Sequence, residues 1–392
     1  MLLVQPLTDI PAAHEVSRAA WTASTPDIPF DSPAAFADML REPRPGSEYE
    51  HYEAVLDGVV VGFLELGLPQ AENVGVVNVV LAVHPAYRRR GAGSALHALA
   101  VERTRLLGRK HLTGLTVHGA AVSAPLGAPA VIRAADLSHS PESADPPEPA
   151  DPPDPADPLD PADPLDPSDP ADPPDPADPP DPPDPVGSAE RAGSAFAAAL
   201  GAAPCLEMIR SRLVLTVEPA LRRESEPPPD PGYRLVQWSG AAPAAYLDDL
   251  AYLDGRLHQD APIGDLDREP DKVDADRIRA AEEALCVRRR TSFHTAAVHQ
   301  ATGRLVAWTM LASPDATPWQ AWQYITLVDP DHRGHRLGLL TKTENLRYAL
   351  SHRPELRALD TLNAVRNERI LAINRVMGFR PVEAWTHWQQ TV

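Results

Sequence analysis

The spacing of hydrophobic and polar positions changes several times along this chain, and each change marks an element. The opening LLVQPL suits a strand, while PAAHEVSRAAWTA and SPAAFADMLRE carry apolar residues at helical spacing. Ser32 stands ahead of Pro33 as an N-cap before a proline in the first turn. YEAVLDGVVVGFLELG then sets two apolar runs around Asp57-Gly58. That is a hairpin signal, because a tight two-residue turn needs positive φ. VGVVNVVLAV predicts a buried strand. GAGSALHALAVERTRLLG predicts a helix, with Leu96, Leu99, Ala100, Arg103 and Leu106 at its spacing. HLTGLTVHG is a further short strand.

The last segment repeats this order. YRLVQW predicts a strand, and APAAYLDDLAYLDGRL and DADRIRAAEEALCV predict helices. FHTAAVHQATGRLVAWTML is a hairpin turning at Thr302-Gly303, and AWQYITLV is a strand. The helix RLGLLTKTENLRYALSH, the strand LRALDTLNA, the helix NERILAINRVM and the strand GFRPVEAWTHWQ complete the chain. The halves read as one architecture used twice. Each sets strands on both sides of a central strand–turn–helix, an α/β pattern that places a ligand at the strand's carboxyl end.

That central turn carries the chemistry. In VVLAVHPAYRRRGAGSAL a strand ends at Val83, and Arg88 to Gly93 open a helix. A helix N-terminus has unsatisfied N–H groups and partial positive charge, so it attracts an anion. Glycine lets the backbone approach a phosphate, and arginine adds charge and forked donors. ITLVDPDHRGHRLGLL repeats the arrangement, again with a proline two residues past the strand (Pro85, Pro330).

On these residues the chain resembles the GNAT acyltransferases, whose signature Arg/Gln-x-x-Gly-x-Gly/Ala cradles the pyrophosphate of acetyl-CoA. Arg88 to Gly93 fits it in full, whereas Arg333-x-x-Arg336-x-Gly338 puts arginine where the first glycine belongs. The arrangement is similar to the tandem GNAT proteins of actinobacteria, mycothiol synthase among them, with no motif that fixes that substrate. The resemblance implies an α/β fold of two GNAT-type domains, each a mixed central sheet flanked by helices. It implies acetyl-CoA as acyl donor, a small-molecule amine as acceptor and no metal. The cofactor contacts it implies are Leu81, Ala82, Val83, Arg88, Arg89, Arg90, Gly91, Ala92, Gly93 and Ser94 in the first half. In the second half they are Leu327, Val328, Arg333, Gly334, His335, Arg336, Leu337, Gly338, Asn367 and Asn374, with His332 also beside the turn.

Composition adds one large feature. From Asp151 to Asp184 an aspartate recurs every third residue, each followed by proline. Residues 139–186 hold 13 Asp, 2 Glu and 20 of the 45 prolines, with no Lys or Arg. Without them the net charge of −19 becomes −4, so the acidity belongs to one segment and argues against nucleic acid as a partner. The segment has no apolar face to bury and is expected to be disordered. FAAALGA matches INRVMGF, with Gly201 in the place of Gly378, so the run interrupts the first half instead of dividing the halves. The expected domains are 1–218, with the insert at about 139–186, and 233–392, joined by a linker at 219–232. The insert is a tolerated repeat expansion, an entropic bristle or an acidic arm for a protein partner. Cys205 and Cys286 form no CxxC pair and are expected to be buried apolar residues. No apolar run approaches a membrane span and the N-terminus has no signal-peptide pattern, so the expectation is a soluble cytoplasmic protein.

The family's thiolate acid is a tyrosine four residues before the Gly-Phe glycine. Here those positions hold Ala197 and Asn374, so the usual acid is missing from both halves and Asn374 is left to hydrogen-bond the cofactor. Counting back in twos from Val83 gives Leu81, Val79 and Val77, all apolar; from Val328 it gives Thr326, Tyr324 and Trp322. Asn363 and Asn367 lie near the end of the following strand. The second half is therefore expected to do the chemistry, with Tyr324 as the catalytic candidate and Glu65 as a base in the first half should that half be active. The alternative is a non-catalytic CoA-binding or interaction protein that uses the acidic arm.

Overall fold

The computed structural model describes residues 1–42, 46–120, 192–215 and 231–392. The Asp-Pro insert and residues 219–230 of the expected linker lie outside the described residues. The first half runs β1 (Leu2–Pro6), α1 (Ile10–Ser24), α2 (Pro33–Arg41), β2 (Ser47–Leu56), β3 (Val59–Pro69), β4 (Val76–Val83), α3 (Ala92–Leu106), β5 (His111–Ala120), α4 (Ala192–Ala199) and β6 (Ala203–Val214). The second runs β7 (Tyr233–Ser239), α5 (Leu247–Gly255), α6 (Ala275–Val287), β8 (Arg290–His299), β9 (Leu305–Pro314), β10 (Gln320–Val328), α7 (Leu337–His352), β11 (Ala358–Ala364), α8 (Glu368–Val376) and β12 (Arg380–Thr391).

Local signals explain the element ends. The Ser32 hydroxyl accepts from Ala35 N at 3.3 Å and caps α2. Asp57 and Gly58 turn the β2–β3 hairpin with φ of 49° and 85°. Apolar stripes then place the helices on the sheet. Leu96 and Ala100 of α3 pack on Leu64, Leu66 and Val77. Leu346 and Ala349 of α7 pack on Leu311, Ala321 and Leu359. On the opposite face, Leu250, Leu253 and Ile278 of α5 and α6 meet Trp308, Ile325 and Leu327.

All twelve strands form one sheet in the order β1-β2-β3-β4-β5-β12-β6-β11-β10-β9-β8-β7. The halves exchange their last strands. β12 of the second half lies between β5 and β6, and β6 of the first lies between β12 and β11, all antiparallel. The parallel pairs are β4·β5 and β10·β11. Each half thus closes the open edge of the other, which leaves neither β5 nor β11 as an exposed template for pairing.

An ion cluster sits on the exchanged strands. Arg210 of β6 is 0% exposed and donates to Glu383 of β12 at 2.6 Å, to Asp360 of β11 at 2.7 Å and to Asp27 of the α1–α2 connector at 2.9 Å. Arg212 adds bonds to Asp360 and an ion pair to Asp27. Burial opposes the charge on Arg210, but the three carboxylates outweigh it and its pKa stays above the usual arginine value. Further cross-links pair Arg290 with Asp31 and Arg289 with Asp38, and in the other direction Arg277 with Glu72 and Arg268 with Asn78.

The cysteine expectation is corrected. Cys286 is exposed near the end of α6 and Cys205 is half-buried on β6, because neither lies on the face that its element turns to the core. Both are free thiols.

Replacing Arg210 by methionine would strand buried carboxylates without their cation. The full chain should lose about 3–5 kcal/mol of stability, measured by denaturant unfolding.

Candidate active site

The two turns share one backbone path with the glycines placed differently. After β4, Arg89 and Gly91 have φ of 64° and 88°; after β10, Gly334 and Arg336 have φ of 88° and 55°. Gly91 and Arg336 are the left-handed N-caps of α3 and α7. Arg336 therefore reproduces the bend expected to need glycine, at a φ inside the narrow left-handed window open to L-residues. Such alternations of hand turn successive N–H groups into an anion-binding concavity.

The second glycine of each turn has a packing reason. A Cβ on Gly93 would lie 3.3 Å from the Phe196 ring of α4, and one on Gly338 would lie 3.1 Å from Cδ1 of Ile373 of α8. The start of α3 or α7 is thus covered by the next helix so closely that a side chain there would force its neighbour to give by a few tenths of an ångström.

The arginines differ. Arg88 is half-buried, its guanidinium has no hydrogen-bond or ion-pair partner among the described residues, and burial holds its pKa below the usual arginine value. A cation desolvated without a counter-charge fits a bound phosphate. Arg333 instead pairs with Asp260 at 2.9 Å, but Asp260 also serves Arg256, so this group keeps one positive charge in excess. His332 is held by the Tyr233 hydroxyl at 2.9 Å, and the exposed His335 rests its ring 5.3 Å from that of Tyr233. Arg89, Arg90, Gly91 and Ser94 are exposed, while Ala92 is buried as the first residue of α3. Leu337 is buried as the first residue of α7.

Both central strands part from their parallel neighbours partway along. β4 pairs with β5 only over Val76–Asn78, and β10 pairs with β11 only over Gln320–Gln323. Leu81, Ala82 and Val83, and likewise Leu327 and Val328, therefore lie on the unpaired stretches that lead down to the turns. The apex of the second opening differs from that of the first. β10 has nine residues to the eight of β4, and the extra one is a bulge: Gln323 faces Leu311 and Ile325 faces Met310, with Tyr324 between them outside the pairing. β4 runs against β3 without a break. The Gln323 side chain supports the bulge, its amide donating to the carbonyls of Met310 and Ile325 at 2.7 and 3.0 Å.

The bulge corrects the expected parity of the strand. Counting in twos placed Thr326, Tyr324 and Trp322 on one face, but a one-residue insertion flips every side chain beyond it. Thr326 stays with Gln323 on the α7 side, while Trp322 faces the other way. Tyr324 is 47% exposed, and its hydroxyl accepts from Arg290 at 2.6 Å. Arg290 in turn pairs with Asp31, and both line a cleft with Phe30, Arg288, Gln320 and Trp322. The cleft is built by both halves, which no reading of one half could show. Glu65, the candidate base of the first half, is tied to His51 at 3.3 Å.

Asn367 is committed to the N-cap of α8, accepting from Ile370 N at 3.4 Å. Asn374 is buried, accepting from Lys342 Nζ at 2.6 Å and donating to Asn363 Oδ1 at 2.9 Å. Sequence reasoning missed Lys342, Arg290 and the bulge. A lysine on the apolar stripe with Leu346 and Ala349, and one extra residue in β10, were the available signals. Lys342 is 1% exposed, and burial pushes its pKa down from 10.5 to about 7.

Two parallel strands that part beside a helix start with left-handed turns, with a second helix across it, define the class of α/β fold in which an anion can sit at a helix N-terminus beside the central strand. Residues 10–123 match the family model for the acetyltransferase (GNAT) family. The first half thus carries a GNAT-family domain and the whole chain has the fold of two such domains, which supports an N-acetyltransferase; this family draws its acyl group from acetyl-CoA. Over its whole length it is similar to a tandem GNAT protein from the clavulanic acid biosynthesis pathway, at 27% identity over 98% of that chain with a TM-score of 0.71. It shares its fold with a GCN5-related N-acetyltransferase from Sphaerobacter thermophilus, at 12% identity, 100% and 95% coverage of the two chains and a TM-score of 0.57. No curated protein matches the chain by sequence. Among the described residues no helix is long and apolar enough to cross a membrane.

Gly91→Ala should cost about 1–2 kcal/mol in chemical denaturation, since φ of 88° lies beyond the L-residue window. Between about pH 7 and 10.5 the unfolded chain carries a proton on Lys342 that the folded chain has released. Lys342 should therefore make stability rise with pH across that window, and Lys342→Met should flatten the rise in denaturant midpoints taken at several pH values.

Proposed function

We propose that the protein acetylates the amine of a small molecule and that residues 233–392 form the domain that performs the transfer, residues 1–218 forming the other. The β10 bulge, absent from β4, carries this reading. A bulge re-aims the backbone at one point of a strand, and here that point is the apex of the opening between β10 and β11. A backbone donor there suits the oxyanion that develops on a carbonyl under attack.

When bound, acetyl-CoA supplies the activated thioester. The N–H groups at the start of α7, with Arg333 and Arg336, hold its phosphates. Gly338 lets the backbone come close, and the unpaired edge of Leu327 and Val328 lines the path up to the bulge. The cleft beside Trp322 takes the acceptor. Tyr324, oriented by Arg290, passes its O–H proton to water as its oxygen takes the proton that the acceptor amine loses, and so ends protonated as it began. In the other domain Arg88 holds the phosphates of a second CoA beside a strand that lacks the bulge, a site for binding without transfer.

Acetyl-CoA should bind by calorimetry and raise the melting temperature; no binding would end the proposal. In an acetylation assay against a panel of amines, Arg333→Ala should abolish transfer, and Tyr324→Phe should lower kcat by about 10²-fold. Full turnover in Arg333→Ala, with loss in Arg88→Ala, would assign the chemistry to the first domain.

A further inference from the structure

The sheet face beside the first opening is bare at its middle. Val80 of β4 is 54% exposed and Leu115 of β5 is 44% exposed, although both strands lie inside the sheet. Side chains alternate along a strand, so the neighbours on this face can be named. Glu65 of β3 stands opposite Val80, and His387 of β12 stands opposite Leu115. Asn78 and Thr113 head the opening, where the Thr113 hydroxyl donates to Asn78 Oδ1 at 3.0 Å. Thr116 and Trp388 turn to the other face, towards Ser194 of α4.

The second half reaches this face through the connector between α5 and α6. Glu269 N donates to Asn73 Oδ1 at 2.8 Å, Asp267 lies 3.0 Å from His111, and Arg268 donates from Nη2 to Asn78 Oδ1 at 3.0 Å. Other arginines that pair across the halves each meet a carboxylate: Arg210 at Glu383, Arg212 at Asp360, Arg277 at Glu72, Arg289 at Asp38 and Arg290 at Asp31. The Arg268 guanidinium has only the neutral amide of Asn78 among the described residues, and its Nε is buried without a hydrogen-bond partner. His387 Nδ1 is also buried without one. Burial, and then the charge of Arg268, push the His387 pKa down to about 4, so this imidazole is neutral near neutral pH. A bridging water would satisfy both nitrogens but would leave the desolvated charge uncompensated.

We propose that Arg268 and His387 form a binding site for the carboxylate of a small organic acid whose apolar body rests on Val80 and Leu115. The site lies on the first half, takes its cation from the second, and does not depend on which half performs the transfer. One carboxylate oxygen accepts from Arg268 Nε. The other accepts from His387, in the tautomer that carries its proton on Nδ1. A neutral imidazole suits this role, because it donates without adding a second buried charge. The apolar floor selects an acid with a hydrocarbon body over an inorganic anion.

The test uses the full-length protein, with hexanoate as the probe and hexanamide as its neutral control. By calorimetry hexanoate should bind with a Kd of about 1 mM or below, and hexanamide about tenfold more weakly or less. The His387 imidazole is followed by NMR, its signal identified by loss in His387→Gln. Its pKa should rise by about one unit when hexanoate binds, because the carboxylate offsets the charge of Arg268. Arg268→Gln should weaken hexanoate about tenfold and raise the His387 pKa without any ligand. Should that variant fail to fold, the rise in the parent with hexanoate, and its absence with hexanamide, decide the matter alone. Equal binding of acid and amide, hexanoate binding unchanged in Arg268→Gln, or no binding of hexanoate would overturn the proposal. The last result would make Arg268 a structural arginine bridged to His387 by water.

Discussion

The structure depends on Arg210. Its guanidinium joins the first half's connector, through Asp27, to two strands of the second half, through Asp360 and Glu383. Strands exchange between the halves around it, and the central β6·β12 pair lies at the middle of the twelve-stranded sheet. A fully buried cation is tolerable only with its carboxylates in place. The cluster therefore forms only when both halves have folded against each other, and it specifies which strand enters which gap. The same contact brings the Asp27–Ser32 connector of the first half over the second, where Asp31 meets Arg290 and closes one wall of the cleft beside Tyr324.

On this shared frame the halves have diverged by small steps. One extra residue in β10 makes a bulge, moves Tyr324 out of the pairing and turns Trp322 to the cleft. One lysine on α7 and one asparagine on α8 fill the space behind it with a polar chain. The first half keeps a regular β4 and a phosphate-type turn whose arginine has no anion among the described residues. The two differences are separable parts of the fold: the turn depends on backbone hand and glycine placement, the opening beside it on a local break in strand pairing.

Much of this was legible in the chain. Helix and strand periods, the Asp57-Gly58 turn, the Ser32 cap and both strand–turn–helix units follow from local chemistry, so they appeared where expected. The paired turns and their glycines carried the family resemblance because an anion site at a helix start needs only neighbouring residues. Three features were not legible. The bulge depends on how β10 pairs with β9, and a one-residue insertion leaves a short apolar run looking the same. The side-chain partners of Asn374 and Tyr324 come from α7 and β8, 32 and 34 residues away in the chain. The exposure of Cys286 depends on which face of α6 is covered.

The sequence by itself determined the elements, the internal duplication and the two glycine-bearing turns at helix starts, because propensity, capping and backbone hand act over a few residues. Only the tertiary structure decided that the halves exchange strands, that Arg210 binds them, that the cleft has two parents and that a buried lysine stands behind the second opening. Those outcomes come from burial and pairing between distant segments, where the cost of a charge without water is set by neighbours that no local pattern names.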